Sequence, residues 1–209
     1  RSTNDFRGSF SFGNLSYVAS NRTENDKGVV RVNYGVGLNR LSSFQRNISI
    51  EGNIPNINHS YMNGILDRAD GFTPQQLDGF YSGLAFDAFA IDTIPGENAF
   101  YESLFNPASN GFNQKQTINE KGGLSDFSFG LSANINERFF IGGSLSIISL
   151  RYNQDKSLTE ELIDNNDAVD FYPMTRYTFN EELRANGSAF NLKIGAIAKV
   201  NDYLRLGLA

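Results

Sequence analysis

The stretch Phe127-Ser128-Phe129-Gly130-Leu131-Ser132-Ala133-Asn134-Ile135, the link Asn136-Glu137-Arg138, and the stretch Phe139-Phe140-Ile141-Gly142-Gly143-Ser144-Leu145-Ser146-Ile147 decide the fold class. In the first run the odd positions are Phe127, Phe129, Leu131, Ala133 and Ile135, and the even ones Ser128, Gly130, Ser132 and Asn134. The second run sets Phe139, Ile141, Gly143, Leu145 and Ile147 against Phe140, Gly142, Ser144 and Ser146. A period of two places successive side chains on opposite faces of an extended strand, whereas a helix repeats every 3.6 residues. The short link between the runs predicts a tight antiparallel hairpin.

The same alternation recurs outward from this pair. Val30, Val32, Tyr34, Val36 and Leu38 oppose Arg31, Asn33, Gly35, Gly37 and Asn39. Phe190, Leu192, Ile194, Ala196 and Ala198 oppose Asn191, Lys193, Gly195, Ile197 and Lys199, and Leu204, Leu206 and Leu208 alternate with Arg205 and Gly207. A weaker run over Phe6–Val18 slips phase at Gly13–Asn14, as a bulge would cause. The links alternate in length: Asn136–Arg138 and Val200–Tyr203 are tight turns and Ala19–Gly28 is short, while Asn153–Pro173 and Asn47–Gly123 are long. Outer-membrane barrels have short periplasmic turns and long extracellular loops, and compact soluble domains seldom carry so long a connection. Phe139, Phe140 and Tyr203 fall at one set of strand ends, and Phe44, Tyr152, Phe171, Tyr172, Tyr177 and Phe179 at the other, the placing of two aromatic girdles. The pattern therefore predicts an all-β chain, an antiparallel transmembrane β-barrel portion with Val32, Leu131, Leu145 and Ile194 facing lipid. A soluble β-sandwich is the competing architecture.

Composition removes most other classes. The 209 residues carry a formal charge of −5, which argues against a nucleic-acid partner. The chain has no Cys, and His59 is its one His, so thiolate chemistry, disulfides, Cys-type zinc sites and His-rich metal sites are excluded. Its 25 Asn, 20 Ser and 20 Gly suit turns and small polar strand faces. No apolar run reaches the roughly 20 residues of a spanning helix, but spanning strands need only about 9–11. No signal peptide is read at Arg1.

Several passages resemble a known family. Gly187-Ser188-Ala189-Phe190-Asn191-Leu192-Lys193-Ile194-Gly195-Ala196-Ile197 with Asn201-Asp202-Tyr203-Leu204-Arg205-Leu206-Gly207 is similar to a passage of Bacteroidetes outer-membrane transport proteins. These belong to the long-chain fatty acid transporter family, whose relatives take up aromatic hydrocarbons. Glu120 with Phe127–Gly130, Asn134-Ile135-Asn136 and Phe140–Ser144 resembles the preceding strand pair, and Asn25–Gly28, Asn39-Arg40-Leu41 and Phe44–Asn47 an earlier one. The resemblance implies a 14-stranded barrel with an N-terminal hatch, substrate binding among extracellular loops and exit through the wall. About six strands are visible, without a hatch, so residues 1–209 read as an interior portion of one barrel domain. Asn106-Pro107-Ala108 matches the hatch motif only in a loop, and is set aside as chance.

The connection 47–123 reads as a long extracellular insertion with two helices. One covers about 61–69, starting after Ser60 and stopping at Gly71. The other covers about 74–91, capped by Thr73 with Pro74 at its first position and ended by Pro95-Gly96. Leu77, Phe80, Tyr81, Leu84, Ala88 and Ile91 would share one face of it, with Phe86 and Phe89 anchoring it to the barrel rim. A loop without a core of its own would expose that face, so Leu77, Phe80, Tyr81 and Leu84 are the expected hydrophobic-ligand contacts.

Catalysis finds no support. His59-Ser60 lacks the context of a triad, and His59 reads as a solvated loop residue. Asp164, Asn166 and Asp170 miss the calcium-loop pattern, because Ala168 takes the fifth position and no Gly follows. Together with Glu160 and Glu161 they read as a solvated extracellular loop. Arg31, Lys193 and Arg205 are lumen-side cations that could contact a fatty carboxylate. The expectation is passive uptake of hydrophobic small molecules, chiefly long-chain fatty acids, at the bacterial outer membrane, without enzyme activity, cofactor or metal. Its partners would be membrane lipid, lipopolysaccharide and the ligand. The alternative is a non-transporting barrel scaffold that docks a protein partner in a secretion or nutrient-uptake complex.

Overall fold

Alternating apolar and small polar residues build one antiparallel sheet that dominates the chain. The computed structural model describes residues 12–55, 57–105, 111–163 and 174–209. It is 64% strand and 11% helix, in agreement with the all-β expectation. The strands are β1 (Asn14–Arg22), β2 (Val29–Ser43), β3 (Arg46–Ile54), β4 (Ile91–Thr93), β5 (Tyr101–Ser103), β6 (Phe112–Ile135), β7 (Phe139–Leu162), β8 (Arg176–Lys199) and β9 (Arg205–Leu208). Two helices, α1 (Tyr61–Ala69) and α2 (Ser82–Asp87), lie between β3 and β4. The main sheet runs β1-β2-β6-β7-β8-β9, with β3 also paired to β6. Among the described residues β1 and β9 do not pair with each other, so this sheet is open.

The chain divides into two compact units. Unit 1 holds residues 1–45, 120–153 and 183–209, and unit 2 holds 46–119 and 154–182. Unit 1 contains the alternating stretches. Its registers pair Leu15 with Leu38 and Leu38 with Phe127, then Tyr17 with Val36 and Val36 with Phe129, so one face gathers the large apolar side chains. The opposite face pairs Ser16 with Gly37 and Gly37 with Ser128, then Ser20 with Asn33 and Asn33 with Ser132. At the 136–138 turn Asn136 and Glu137 both have positive φ, 52° and 57°, the handedness that matches strand twist in tight hairpins.

Several expected boundaries move. The connections 47–123 and 153–173 are shorter than expected, because β3, the start of β6 and the end of β7 lie inside them. The start of β6 is mostly polar, and the apolar residues of β3 (Ile48, Ile50, Ile54) and of the end of β7 (Leu158, Leu162) are interrupted by Gly52 and Glu160, so the alternation in these segments is weak. Cross-strand partners hold them instead: Lys115 with Glu51 at 3.4 Å, Lys156 with Glu181 at 3.5 Å, and the Thr159 and Thr178 hydroxyls at 2.9 Å. The link before β2 shortens to residues 23–28. Phe44 and Tyr152 pack edge to face in unit 1. Phe171, Tyr172, Asp164–Asp170 and Asn106-Pro107-Ala108 lie outside the described residues.

Unit 2 has a hydrophobic core, contrary to the expectation of a coreless loop. Met62, Ile65, Ala69, Ala85, Ala90, Ile91 and Tyr101 form one cluster, with Leu77 and Phe86 packed on it, and Phe105, Phe112 and Leu162 form a second. Each large side chain buried this way contributes about 1.5–3 kcal/mol. Helix α1 matches its expected bounds, and the Ser60 hydroxyl accepts from Met62 N at 3.2 Å as its N-cap. The expected 74–91 helix does not form. A single 3₁₀ turn covers Pro74–Gln76, and α2 starts afresh at Ser82. The cause is Asp78, whose carboxylate accepts from the backbone N–H groups of Phe80, Tyr81 and Ser82 and from the Ser82 hydroxyl, and so nucleates a new start. These bonds, the Ser82 hydroxyl foremost, pull the Asp78 carboxyl down to about 2.

Candidate functional site

The glycine and serine face of unit 1 carries a groove of about 850 Å³. Gly35, Gly130, Gly142, Gly195 and Gly207 open its floor, and Phe140 and Ile197, on the same face, supply apolar walls. The glycines keep strands close as well as the space empty: a Cβ on Gly142 would meet the Ser132 Cβ at 2.9 Å. A smaller groove of about 420 Å³ shares Phe140, Ile141, Ala196 and Ile197 with it and has no charged lining. The polar contribution comes from Asn33, Ser132, Ser144, Lys193 and Arg205. Two separated cations over a floor of glycine and small residues leave room for a ligand with one polar group and an apolar body.

Of the three expected cations, two line this groove, but not side by side: Arg205 stands opposite Lys199, six residues and about 20 Å along β8 from Lys193. Lys193 on β8 and Arg205 on β9 both line the groove, and neither has an ion-pair partner among the described residues. Arg31 does not line it, and its guanidinium donates to Ser20 Oγ at 3.2 Å. Sequence reasoning named the cations but not the glycine floor. The signal was present in Gly130, Gly142, Gly195 and Gly207, all on the small-residue side of their strands.

The expected loop contact set does not share one helical face. Leu77 packs on the core of unit 2. Tyr81 stacks on Phe179 at 5.7 Å, with the Arg68 guanidinium 4.4 Å over its ring, so its faces are taken. Phe80 is 82% exposed and Leu84 49%. Phe86 anchors to Tyr101 rather than to a barrel rim, and Phe89 is 73% exposed, so the expected anchoring pair splits too.

Glu160 corrects another expectation. It is fully buried rather than solvated, in the buried series Leu158, Glu160, Leu162. Its Oε1 accepts from Tyr61 N at 3.0 Å and Gln114 Nε2 at 2.7 Å, and its Oε2 from Ser60 Oγ at 2.5 Å and Tyr177 OH at 2.6 Å. Burial, then the adjacent carboxylate, pushes the Tyr177 hydroxyl well above the ordinary phenol range, which keeps it a donor. Four donors saturate the carboxylate, and His59 is exposed, so Ser60 serves as a cap and carboxylate donor rather than a nucleophile. Glu160 thus ties the start of α1 to β6 and β8. The chain matches no protein-family model, no curated protein and no solved structure.

Proposed function

We propose that unit 1 is a section of an outer-membrane β-barrel wall and that the protein takes up hydrophobic small molecules passively, with long-chain fatty acids as the chief substrates. The observation that carries this reading is an inverted sheet. In a soluble sheet the face bearing Phe, Leu and Ile is the covered one. Here Phe127, Phe129, Leu131, Ile141, Leu145 and Ile194 are exposed, while Ser128, Gly130, Ser132, Gly142 and Ser144 on the other face are half-buried. Of the expected lipid-facing set, Val32 alone is half-buried. So large an apolar surface calls for a hydrocarbon neighbour, and apolar-out, small-polar-in is the barrel pattern. The family resemblance of the β6, β7, β8 and β9 sequences supports the same reading.

Lys193 or Arg205, at separate places along the groove, offers a cation to a carboxylate head, and the apolar walls and glycine floor between them offer room for its chain. The protein needs neither cofactor nor catalysis for this role. Membrane lipid and lipopolysaccharide are its surroundings. The test compares binding of a long-chain fatty acid with the alcohol of equal length in the reconstituted full chain. Charge-assisted hydrogen bonds contribute about 1.5–3 kcal/mol, so Lys193→Ala with Arg205→Ala should cost the acid about 10–100-fold and leave the alcohol within about threefold. Equal losses for both ligands, or binding of neither by the parent chain, would refute it and favour a scaffold.

A further inference from the structure

Charge is segregated between the units. Unit 2 carries 16 acidic and 5 basic side chains, formally −11, and unit 1 carries 7 and 13, formally +6. Within unit 2 the run Ala69–Gln114 has six acids and no Lys, Arg or His. The same run bears the most exposed rings among the described residues of the unit, Phe80 and Phe89. On α2, Ser82 and Ala85 face the core, while Leu84, Asp87 and Ala88 form the exposed side. Phe80, four residues before Leu84, and Phe89, directly after the C-cap Ala88, flank that side.

Phe89 is costly in two ways. Its φ is +53°, at a helix end where glycine is the usual occupant, and its ring stays in water. The helix end itself is closed by backbone alone, through Ala90 N to Ala85 O at 2.8 Å. Glycine would serve that geometry better, so the fold does not account for the ring. Three residues on, Asp92 stands directly opposite Glu102 in the β4–β5 pair, and neither meets a cation among the described residues. Like charges placed so are destabilising until a cation joins them.

We propose that this side of unit 2 docks a basic, apolar polypeptide segment, whose Leu or Phe side chains cover Phe80, Leu84 and Phe89 and whose Lys or Arg side chains meet Asp87 and the Asp92–Glu102 pair. Charge complementarity selects this occupant. A fatty carboxylate or a phosphate-bearing lipid surface would meet an all-negative run. Several carboxylates spaced along the outside of a helix and a hairpin suit a partner carrying several cations. The inference is independent of whether unit 1 crosses a membrane.

The test uses the full chain in zwitterionic nanodiscs, with a synthetic amphipathic Lys/Leu peptide and its Glu/Leu counterpart as probes. The Lys/Leu peptide should bind, more weakly as salt rises, and the Glu/Leu peptide should not. Phe89→Gly should weaken binding at least about tenfold while its unfolding temperature stays at or above that of the parent, because glycine removes the strained φ. Phe80→Ser should weaken binding similarly. Equal binding of both peptides, unchanged binding in both variants, or a lower unfolding temperature for Phe89→Gly would overturn the proposal.

Discussion

Removing the carboxylate of Glu160 tests how unit 2 is held together. In Glu160→Ala the Ser60 hydroxyl, the Tyr61 N–H, the Gln114 amide and the Tyr177 hydroxyl lose their common acceptor in a fully buried place. Each bond to a charged group is worth about 1.5–3 kcal/mol. The four do not add, since the donors partly re-pair and the burial cost of the charge disappears with it. Each buried donor left without an acceptor costs about 1–3 kcal/mol, so with partial re-pairing about 3–5 kcal/mol is the expected loss. Glu160→Gln keeps the shape and one acceptor oxygen, and turns the other into a donor facing two donors, so about 1–3 kcal/mol is expected. Hydrogen exchange over 61–69 reads this directly, because Ser60 and Tyr61 begin α1. At 1.4 kcal/mol per factor of ten, Glu160→Ala should speed exchange there by about 100–3,000-fold, with Glu160→Gln between it and the parent. Exchange within about threefold of the parent in Glu160→Ala would refute the structural role assigned to this carboxylate.

Gly142→Val fills the groove of unit 1 and pushes on Ser132, so fatty acid binding should fall at least about tenfold while the protein still assembles; unchanged binding would remove the groove from the site. Asp78 is held near 2 against an unfolded value of 3.8, so its contribution is complete above about pH 4 and lost as pH falls toward 2. Exchange of the Phe80, Tyr81 and Ser82 amides should therefore accelerate over that window in the parent and show no such step in Asp78→Asn. Glu137→Gly relieves one of two adjacent positive φ values in the β6–β7 turn and should stabilise the hairpin by about 0.5–1 kcal/mol in denaturant unfolding.

What was legible in the sequence follows from which forces leave a local trace. The apolar alternation of β2, the later half of β6 and the first half of β7 is visible because one face of each is apolar. Helix α1 is visible because Ser60 caps it and Gly71, at φ +87°, follows its end. The early half of β6 and the far half of β7 leave a fainter trace, since charged and hydroxyl residues paired across strands dominate them, and a partner strand is absent from a one-dimensional pattern. The 74–91 periodicity was real but lost to Asp78, a short polar side chain offering the backbone another bond pattern. Glu160 could have been found: Leu158, Glu160 and Leu162 alternate, and an acid between two leucines on one strand face is a buried acid. That Lys193 and Arg205 line one groove depended on the β8–β9 register, in which Ala198 meets Leu206 and Lys199 meets Arg205, which sets the two cations apart along the sheet.

The central claim is that the apolar face of unit 1 meets lipid. The chain contains no cysteine, so a single introduced one is the sole attachment point for a spin label. Labels placed one at a time at residues 128 to 132, 141 to 145 and 191 to 195 of the bilayer-reconstituted chain are read for collision with oxygen, which concentrates in lipid, and with a water-soluble nickel chelate. The account predicts a period of two, with oxygen favoured at Phe129, Leu131, Ile141, Leu145, Leu192 and Ile194 and reduced at their neighbours. Nickel access without alternation at these positions, or a chain that stays monomeric in buffer without detergent, would contradict it.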